Sequence, residues 1–110
     1  MNKLQYLKFH RQFCNKMIDV TTKKNSDYAT GTDPFRNFRL VELYGVASVE
    51  QGFFTRLSDK MSRIATFVQK GSLTVAYESI EDTLIDAANY CCLLAAYIKE
   101  KRERANNRNK

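Results

Sequence analysis

Residues 78–100 constrain the fold most, because they read as one continuous helix. At about 100° per residue, six of its apolar side chains fall in a single stripe roughly 80° wide. These six are Ile80, Leu84, Ala87, Cys91, Leu94 and Ile98. The stripe predicts the face that packs against the rest of the chain. Further apolar residues, among them Ile85, Cys92 and Leu93, make the helix apolar almost all round, so we expect that its acidic face is not simply open to water.

The opposite side of this helix carries a ladder of polar groups one turn apart. Glu78, Asp82, Asp86 and Asn89 fall within another arc of about 80°. Carboxylates held close together beside apolar side chains need a proton, a basic partner or a metal ion. An oxygen-only set without His or Cys favours Mg²⁺, Mn²⁺ or Ca²⁺. The alternative is that these acids occupy a helix start, where the macrodipole favours negative charge.

Length and composition place the chain among single-domain globular proteins. It has 110 residues, of which 44% are hydrophobic and 27% charged. No apolar run approaches about 18 residues and the N-terminus lacks the shape of a signal peptide, so we expect a cytoplasmic protein without a membrane span. The three cysteines form no zinc or redox motif, which predicts reduced thiols.

The net charge of +6 is concentrated at the C-terminus. Residues 99–110 carry four of the six excess positive charges, so we divide the chain into a helical domain, 1–98, and a basic, frayed tail, 99–110. Such a tail can attract nucleic acid without sequence preference. The alternative is that the tail is simply the solvated end of a helix, since many helices end in this way.

Two further segments have helical periodicity. Between residues 2 and 24, apolar residues recur at spacings of three and four, which indicates an amphipathic helix. Ser48 and Gln51 have the spacing of a capping box and begin a helix that ends at Gly71. Its apolar stripe is Phe53, Leu57, Met61, Ile64 and Val68.

Residues 23–38 break the helical pattern and predict a loop. Asp33 before Pro34 suits the start of a short helix that runs to about residue 44 and ends at Gly45. The sequence therefore predicts four helices and an all-α bundle. The loop offers Asp27, Tyr28 and Asn37 as hydrogen-bonding groups for a ligand, or it is an ordinary capped connection.

The third helix presents a charged side. Arg56 and Lys60, like Asp59 and Arg63, are four residues apart, so one acid can pair with a base while other cations remain. A salt-bridged surface is one interpretation of this pattern. A phosphate clamp is the other, because Arg and Lys bind polyphosphate oxygens.

Four blocks in this order resemble a known family. They are KKNSDYA at 23–29, DPFRNF at 33–38, RLSDKMSR at 56–63 and ESIEDTLIDAANY at 78–90. The chain resembles the nucleotide-modification-associated domain of phages and bacteria, which is related to the MazG-like all-α nucleoside triphosphate pyrophosphohydrolases. The resemblance implies a small four-helix MazG-like bundle and a role in a nucleotide pool, with a nucleoside triphosphate cleaved to the monophosphate and pyrophosphate.

The resemblance also implies a magnesium site built from two helices. The expected ligands are, in order of rank, Glu78 and Asp82, then Asp86 and Asp59, and last Glu50, with Mn²⁺ as a substitute for Mg²⁺. Asp86 is expected to bind the ion or act as general base, and Lys60 and Arg63 to stabilise charge on the phosphates. Residues expected to contact the substrate are Asp27, Tyr28, Asn37, Arg56 and Asn89. The family's Glu-x-x-Glu motif is missing from the third helix, which offers only Glu50 and Asp59.

A chain of this length is short for a closed nucleotide pocket, so we expect a homodimer or tetramer with the site near an interface. Two other functions stay open. One is a catalytically silent nucleotide-binding or interaction module that has kept the fold and lost half of the metal site. The other is a helical nucleic-acid-binding protein that uses the basic tail.

Overall fold

The protein consists of four helices in the part that the structure describes. The structure is a computed structural model, and it describes residues 1–28, 33–73 and 79–108, with the backbone alone for 25–28. The helices are α1 (Lys3–Tyr28), α2 (Arg36–Leu43), α3 (Val49–Lys70) and α4 (Ile80–Arg108). The described ranges contain helices and turns and no strand, which confirms the all-α prediction. None of the four combines the length and the hydrophobicity that crossing a lipid bilayer requires.

The sequence placed the ends of α3 correctly. The Ser48 hydroxyl accepts a hydrogen bond from the backbone N–H of Gln51 (3.1 Å), and the Gln51 side chain accepts one from the N–H of Ser48 (2.8 Å). This is the predicted capping box, and it satisfies two donors that a helix start leaves without partners. At the other end, Gly71 has φ 75°, a left-handed conformation that glycine adopts without a Cβ clash.

The other three helices differ from the predicted bounds. α1 continues to Tyr28, through residues whose polar composition indicated a loop. α2 begins at Arg36, two residues late, although the Asp33 carboxylate still accepts a hydrogen bond from the N–H of Phe35 (3.0 Å). α4 continues to Arg108, so the predicted domain boundary at residue 98 falls inside a helix and the described part of the tail is helical.

An aromatic core joins α2, α3 and α4. Phe38 and Phe53 stack with their ring centroids 3.8 Å apart and their planes at 14°, and Tyr90 meets Phe38 edge-on. The buried members of this core are Phe35, Phe38, Val49 and Phe53, with Tyr90, Leu93, Leu94 and Tyr97 of α4 packed against them. This packing orients α4.

The stripe that we predicted on α4 packs on the core only in part. Ala87 is buried and Leu94 packs against the core, as predicted, whereas Leu84 is 40% exposed and Cys91 is exposed. The other residues of α4 that contact the core are Tyr90, Leu93 and Tyr97. The contact face differs from the predicted one because α4 is apolar almost all round, and helical periodicity alone does not say which face meets its neighbours. The aromatic side chains determine which face of α4 packs on the core, since they bury the largest areas.

α1 packs on α4 and not along the whole bundle. Phe13, Met17 and Val20 are half-buried, whereas residues 1–12 are all exposed, including Tyr6 and Phe9 of the same stripe. α3 runs antiparallel to α4, because Glu50 meets Lys101 and Lys60 meets Asp86. The C-terminal half of α1, the middle of α3 and the N-terminal half of α4 therefore come together around Asp86.

Candidate functional site

Asp86 is the centre of a charged cluster that joins three helices. Lys24 Nζ of α1 lies 2.9 Å from Asp86 Oδ1, and Lys60 Nζ of α3 lies 3.3 Å from Oδ2. We call these three residues the Asp86 cluster. Each oxygen of the carboxylate thus faces an ammonium group, and the three side chains together carry a net charge of one positive unit.

The cluster is only partly open to water. The side chain of Lys60 is 13% exposed and that of Asp86 is 17% exposed, whereas Lys24 is 50% exposed. Thr83 and Ile85, close to Asp86 in sequence, are buried. Charges in such surroundings interact more strongly than at a free surface, because less water screens them.

Asn89, one turn beyond Asp86, links α4 directly to α1. Its Nδ2 donates a hydrogen bond to the backbone oxygen of Met17 (3.2 Å). The amide was predicted to contact sugar or base, and in the structure it fixes the separation between α1 and α4 beside the cluster.

The structure brings together three of the residues that the sequence singled out. Lys60, Asp86 and Asn89 lie at one junction, although they come from two separate sequence blocks. Lys24, the second cation on Asp86, was not among the residues that the sequence singled out. Lys24 belongs to the matched block 23–29, and that membership is the signal that could have drawn attention to it.

The predicted metal ligands are spread over the molecule. Asp82 is exposed in the first turn of α4, where its N–H donates to the Ser79 hydroxyl (3.1 Å). Asp59 is 60% exposed and pairs with Arg63 at 3.6 Å. Glu50 pairs with Lys101 at 3.2 Å and lies ten residues, or about 15 Å along α3, from Lys60. Glu50 and the Asp86 cluster therefore cannot share one ion.

The acids that we expected to hold magnesium are not gathered into one cluster in the described structure. Within the described ranges, no group of three or more His, Cys, Asp or Glu side chains lies close enough to hold a metal ion. Asp86, the most enclosed of the predicted acids whose side chains the structure describes, already has a cation at each oxygen. Glu78, the first-ranked ligand, lies outside the described residues, as do the side chains of Asp27 and Tyr28.

The remaining predicted residues lie at the surface or at its edge. Arg56 and Asn37 are exposed, on α3 and α2 respectively. Arg63, whose side chain is 35% exposed, lies less than one turn from Lys60 on α3. Lys60 and Arg63 therefore face neighbouring parts of the surface near the cluster.

A second charged network lies at the opposite end of the α3–α4 pair. Arg39 Nη2 donates to Glu100 (3.0 Å), and Arg39 Nε lies 2.7 Å from Asp33 at an angle that makes no hydrogen bond. The guanidinium lies 5.6 Å from the ring centroid of Phe35 and 5.8 Å from that of Tyr97. This network lines an open groove, but each of its charges is already neutralised by a neighbour.

Tyr97, beside this network, has a perturbed acidity. Burial raises the pKa of the Tyr97 hydroxyl above its usual value of 10.0, and the negative charge of the nearby Glu50 carboxylate raises it further. Glu50 thus interacts with Tyr97 and Lys101. This is a structural role, and Glu50 lies at the end of α3 that is far from the Asp86 cluster.

Neither a comparison with family models nor comparisons with curated proteins and with solved structures found a match to this chain.

Proposed function

We propose that this chain binds nucleoside triphosphates through their phosphate groups at the Asp86 cluster. The observation that carries the proposal is the pair of ammonium groups, Lys24 and Lys60, that a partly buried carboxylate holds at the junction of three helices. Each lysine ammonium has three N–H donors. A contact with Asp86 uses one of them and leaves two that can point toward phosphate oxygens.

Asp86 has a positioning role in this proposal. Two lysines side by side repel each other and lose order, and a carboxylate between them holds both in place. A polyphosphate that approaches the cluster meets cations that are already oriented, so less side-chain entropy is lost on binding. The low exposure of Lys60 further strengthens its attraction for an anion.

The resemblance of the sequence blocks supports a nucleotide rather than another polyphosphate. Lys24, Lys60 and Asp86 come from three of the four blocks that resemble the nucleotide-modification-associated domain. Asp27 and Tyr28, in the same block as Lys24, and Asn37 are the proposed contacts for sugar and base. Arg56 and Arg63 on α3 extend the basic surface toward the outer phosphates.

Hydrolysis to the monophosphate and pyrophosphate is the second candidate function. The observation in its favour is that Asp82 and Asp86 lie one turn apart on α4, with Asp82 open to solvent. In that function Asp82, Asp86 and Glu78 would hold Mg²⁺ or Mn²⁺, which supplies charge neutralisation at the phosphates. Binding is the leading proposal, because Asp86 is already neutralised by two lysines.

Calorimetry with a panel of normal and modified deoxynucleoside triphosphates tests the binding. Lys60→Gln is expected to weaken the affinity of the best ligand about 10-fold, because a charge-assisted contact to phosphate is lost. Lys16→Gln, an exposed lysine on α1, is the matched control and should leave the affinity unchanged. Equal affinities of the wild type and both variants, or no binding of any triphosphate, would remove the proposal.

Release of pyrophosphate in the presence of Mg²⁺ or Mn²⁺ separates the two candidates. Turnover that Asp82→Asn abolishes and Glu81→Gln preserves would establish the hydrolase. Binding without turnover would establish the silent module.

A further inference from the structure

The face of α4 turned away from α3 is an apolar surface in the described structure. Its six residues, which we call the outer face of α4, fall within about 80° of one another. They are Ile80, Leu84, Ala88, Cys91, Ala95 and Ile98. Leu84 is 40% exposed, Cys91 and Ala95 are exposed, and Ile80, Ala88 and Ile98 are half-buried. Four of the six, Ile80, Leu84, Cys91 and Ile98, belong to the apolar stripe that predicted a packed face of α4. An apolar stripe of this kind is typical of a helix face that packs against a partner and not of a solvated helix surface.

The size of the molecular surface agrees with a missing partner. A compact chain of 12.8 kDa exposes about 6,300 Å². This chain exposes 8722 Å², and its radius of gyration is 16.6 Å, against about 13 Å for a compact chain of its length. The surplus of about 2,400 Å² belongs to the whole chain, including the exposed residues 1–12, and it leaves room for the roughly 800 Å² that each partner buries in a standard stable interface.

We propose that a second copy of this chain covers the outer face of α4, with the two α4 helices antiparallel about a two-fold axis near Cys91. Around this axis Leu84 meets Ile98 of the other copy, and Ala88 meets Ala95. The small side chains at the centre let the two backbones approach closely, and the larger ones at the ends close the contact.

The charges beside this face are complementary in that arrangement. Glu81 and Lys99 lie on the same flank of α4, about 27 Å apart along the axis. When two identical helices pair antiparallel, the same flank of each helix lies beside that flank of the other, with the ends reversed. Glu81 of each copy therefore lies opposite Lys99 of the other. The exposed half of α1 carries Lys3, Lys8 and Arg11 and no acid, so a copy that paired there would gain no such charge pair.

The interface is separate from the nucleotide site. Asp86 lies about 160° round α4 from the centre of the outer face. The Asp86 cluster and the proposed contact between copies therefore lie on different sides of α4, and the two proposals can fail independently.

The native cysteines allow a direct test with little change to the chain. A variant that keeps only Cys91 (Cys14→Ser, Cys92→Ala) places its thiol next to the axis, so a short bismaleimide should convert most of the protein to a covalent dimer. A variant that keeps only Cys92 (Cys14→Ser, Cys91→Ala) is the matched control, because Cys92 is 100° further round the helix. Efficient cross-linking of both variants, or of neither, would overturn the proposed axis.

Sedimentation equilibrium tests the association itself. The wild type should be a dimer at micromolar concentration, and Leu84→Arg should raise the dissociation constant about 100-fold, because two copies of a buried leucine are lost. Leu43→Arg, at a leucine that is 78% exposed on α2, is the control for an added charge and should stay dimeric.

Two outcomes would contradict the surface that we propose. A monomeric wild type excludes the dimer, and dissociation by Phe9→Arg without dissociation by Leu84→Arg places the interface on α1. The charge pair gives an independent check. Glu81→Lys should weaken the dimer about 3-fold and Lys99→Glu in the same chain should restore it, as expected for exposed ion pairs that occur twice.

Discussion

The hydroxyl of Tyr97 gives the protein a pH-dependent contribution to stability. Burial among Phe35 and Phe53, and then the Glu50 carboxylate, raise its pKa above 10.0, the value of an exposed tyrosine. The folded protein therefore holds this proton more tightly than the unfolded chain. The contribution is complete below pH 10 and is lost as the pH rises through the raised pKa.

Urea unfolding between pH 9 and pH 11 should show this loss in the wild type. Tyr97→Phe removes the ionisable group, so the free energy of unfolding of that variant should fall less steeply over the same range. Lysines also titrate here, and they do so in both proteins. Parallel pH profiles of wild type and variant would mean that Tyr97 ionises equally in the folded and unfolded states.

Removal of Asp86 should cost more stability than removal of either lysine. Asp86→Asn leaves Lys24 and Lys60 beside each other without a counter-charge, and Lys60 is largely shielded from water. We expect a loss of about 2 kcal/mol, below the range for fully buried pairs. Lys60→Met leaves Asp86 paired with Lys24 and should cost about 1 kcal/mol.

Asp82→Asn, at an exposed position one turn away, serves as the control. Its effect should stay within about 0.5 kcal/mol. If Asp86→Asn were no more destabilising than Asp82→Asn, the Asp86 cluster would not hold the three helices together.

Both ends of α3 are set by residues next to them in the sequence, Ser48 and Gln51 at the start and Gly71 at the end. Ser48→Ala removes the hydroxyl that accepts the N–H of Gln51, and it should cost about 1 kcal/mol. Ser58→Ala is the matched control, since Ser58 is exposed inside the same helix. There the change should be neutral or slightly stabilising, because alanine has the higher helix propensity. Chemical denaturation of both variants measures the difference.

The four-helix architecture and the ends of α3 could be predicted from sequence because both depend on local chemistry. A capping box and a C-terminal glycine act within a few residues of the helix end. The orientation of α4 depends instead on which apolar face finds a partner, and a helix that is apolar almost all round leaves this open. The end of α1 could not be predicted from local sequence either. Its last turn continues through polar residues that, by their own preference, favour loops.

The candidate site was predicted in part for the same reason. Lys60, Asp86 and Asn89 were identified from spacing and from the resemblance of their blocks. Lys24 pairs with Asp86 across 62 positions of sequence, and no local pattern reports an ion pair between distant helices. Glu50 was included because it lies on α3, but the antiparallel packing of α3 and α4 puts it beside Lys101.

The stability of the whole molecule depends on a small aromatic core. Phe53 is 1% exposed and contacts rings of α2 and α4, so Phe53→Ala should cost about 3 to 5 kcal/mol. For a domain whose total stability is about 5 to 15 kcal/mol, such a loss leaves little margin. Phe54→Ala is the matched control at the next residue, which is 69% exposed. Urea titration should show a large loss for the first variant and almost none for the second.

The dimer that we propose also predicts how the stability of the molecule depends on concentration. If the outer face of α4 is buried only between two copies, association removes folded monomer and shifts the unfolding equilibrium by mass action. The melting temperature of the wild type should then rise by about 3 °C for each tenfold increase in concentration. Leu84→Arg, which weakens pairing about 100-fold, should melt at one temperature at all concentrations below its raised dissociation constant. A wild-type melting temperature that stays constant across the same range would show that the outer face of α4 remains in solvent, and that α1, α2 and α3 supply all the packing that α4 has.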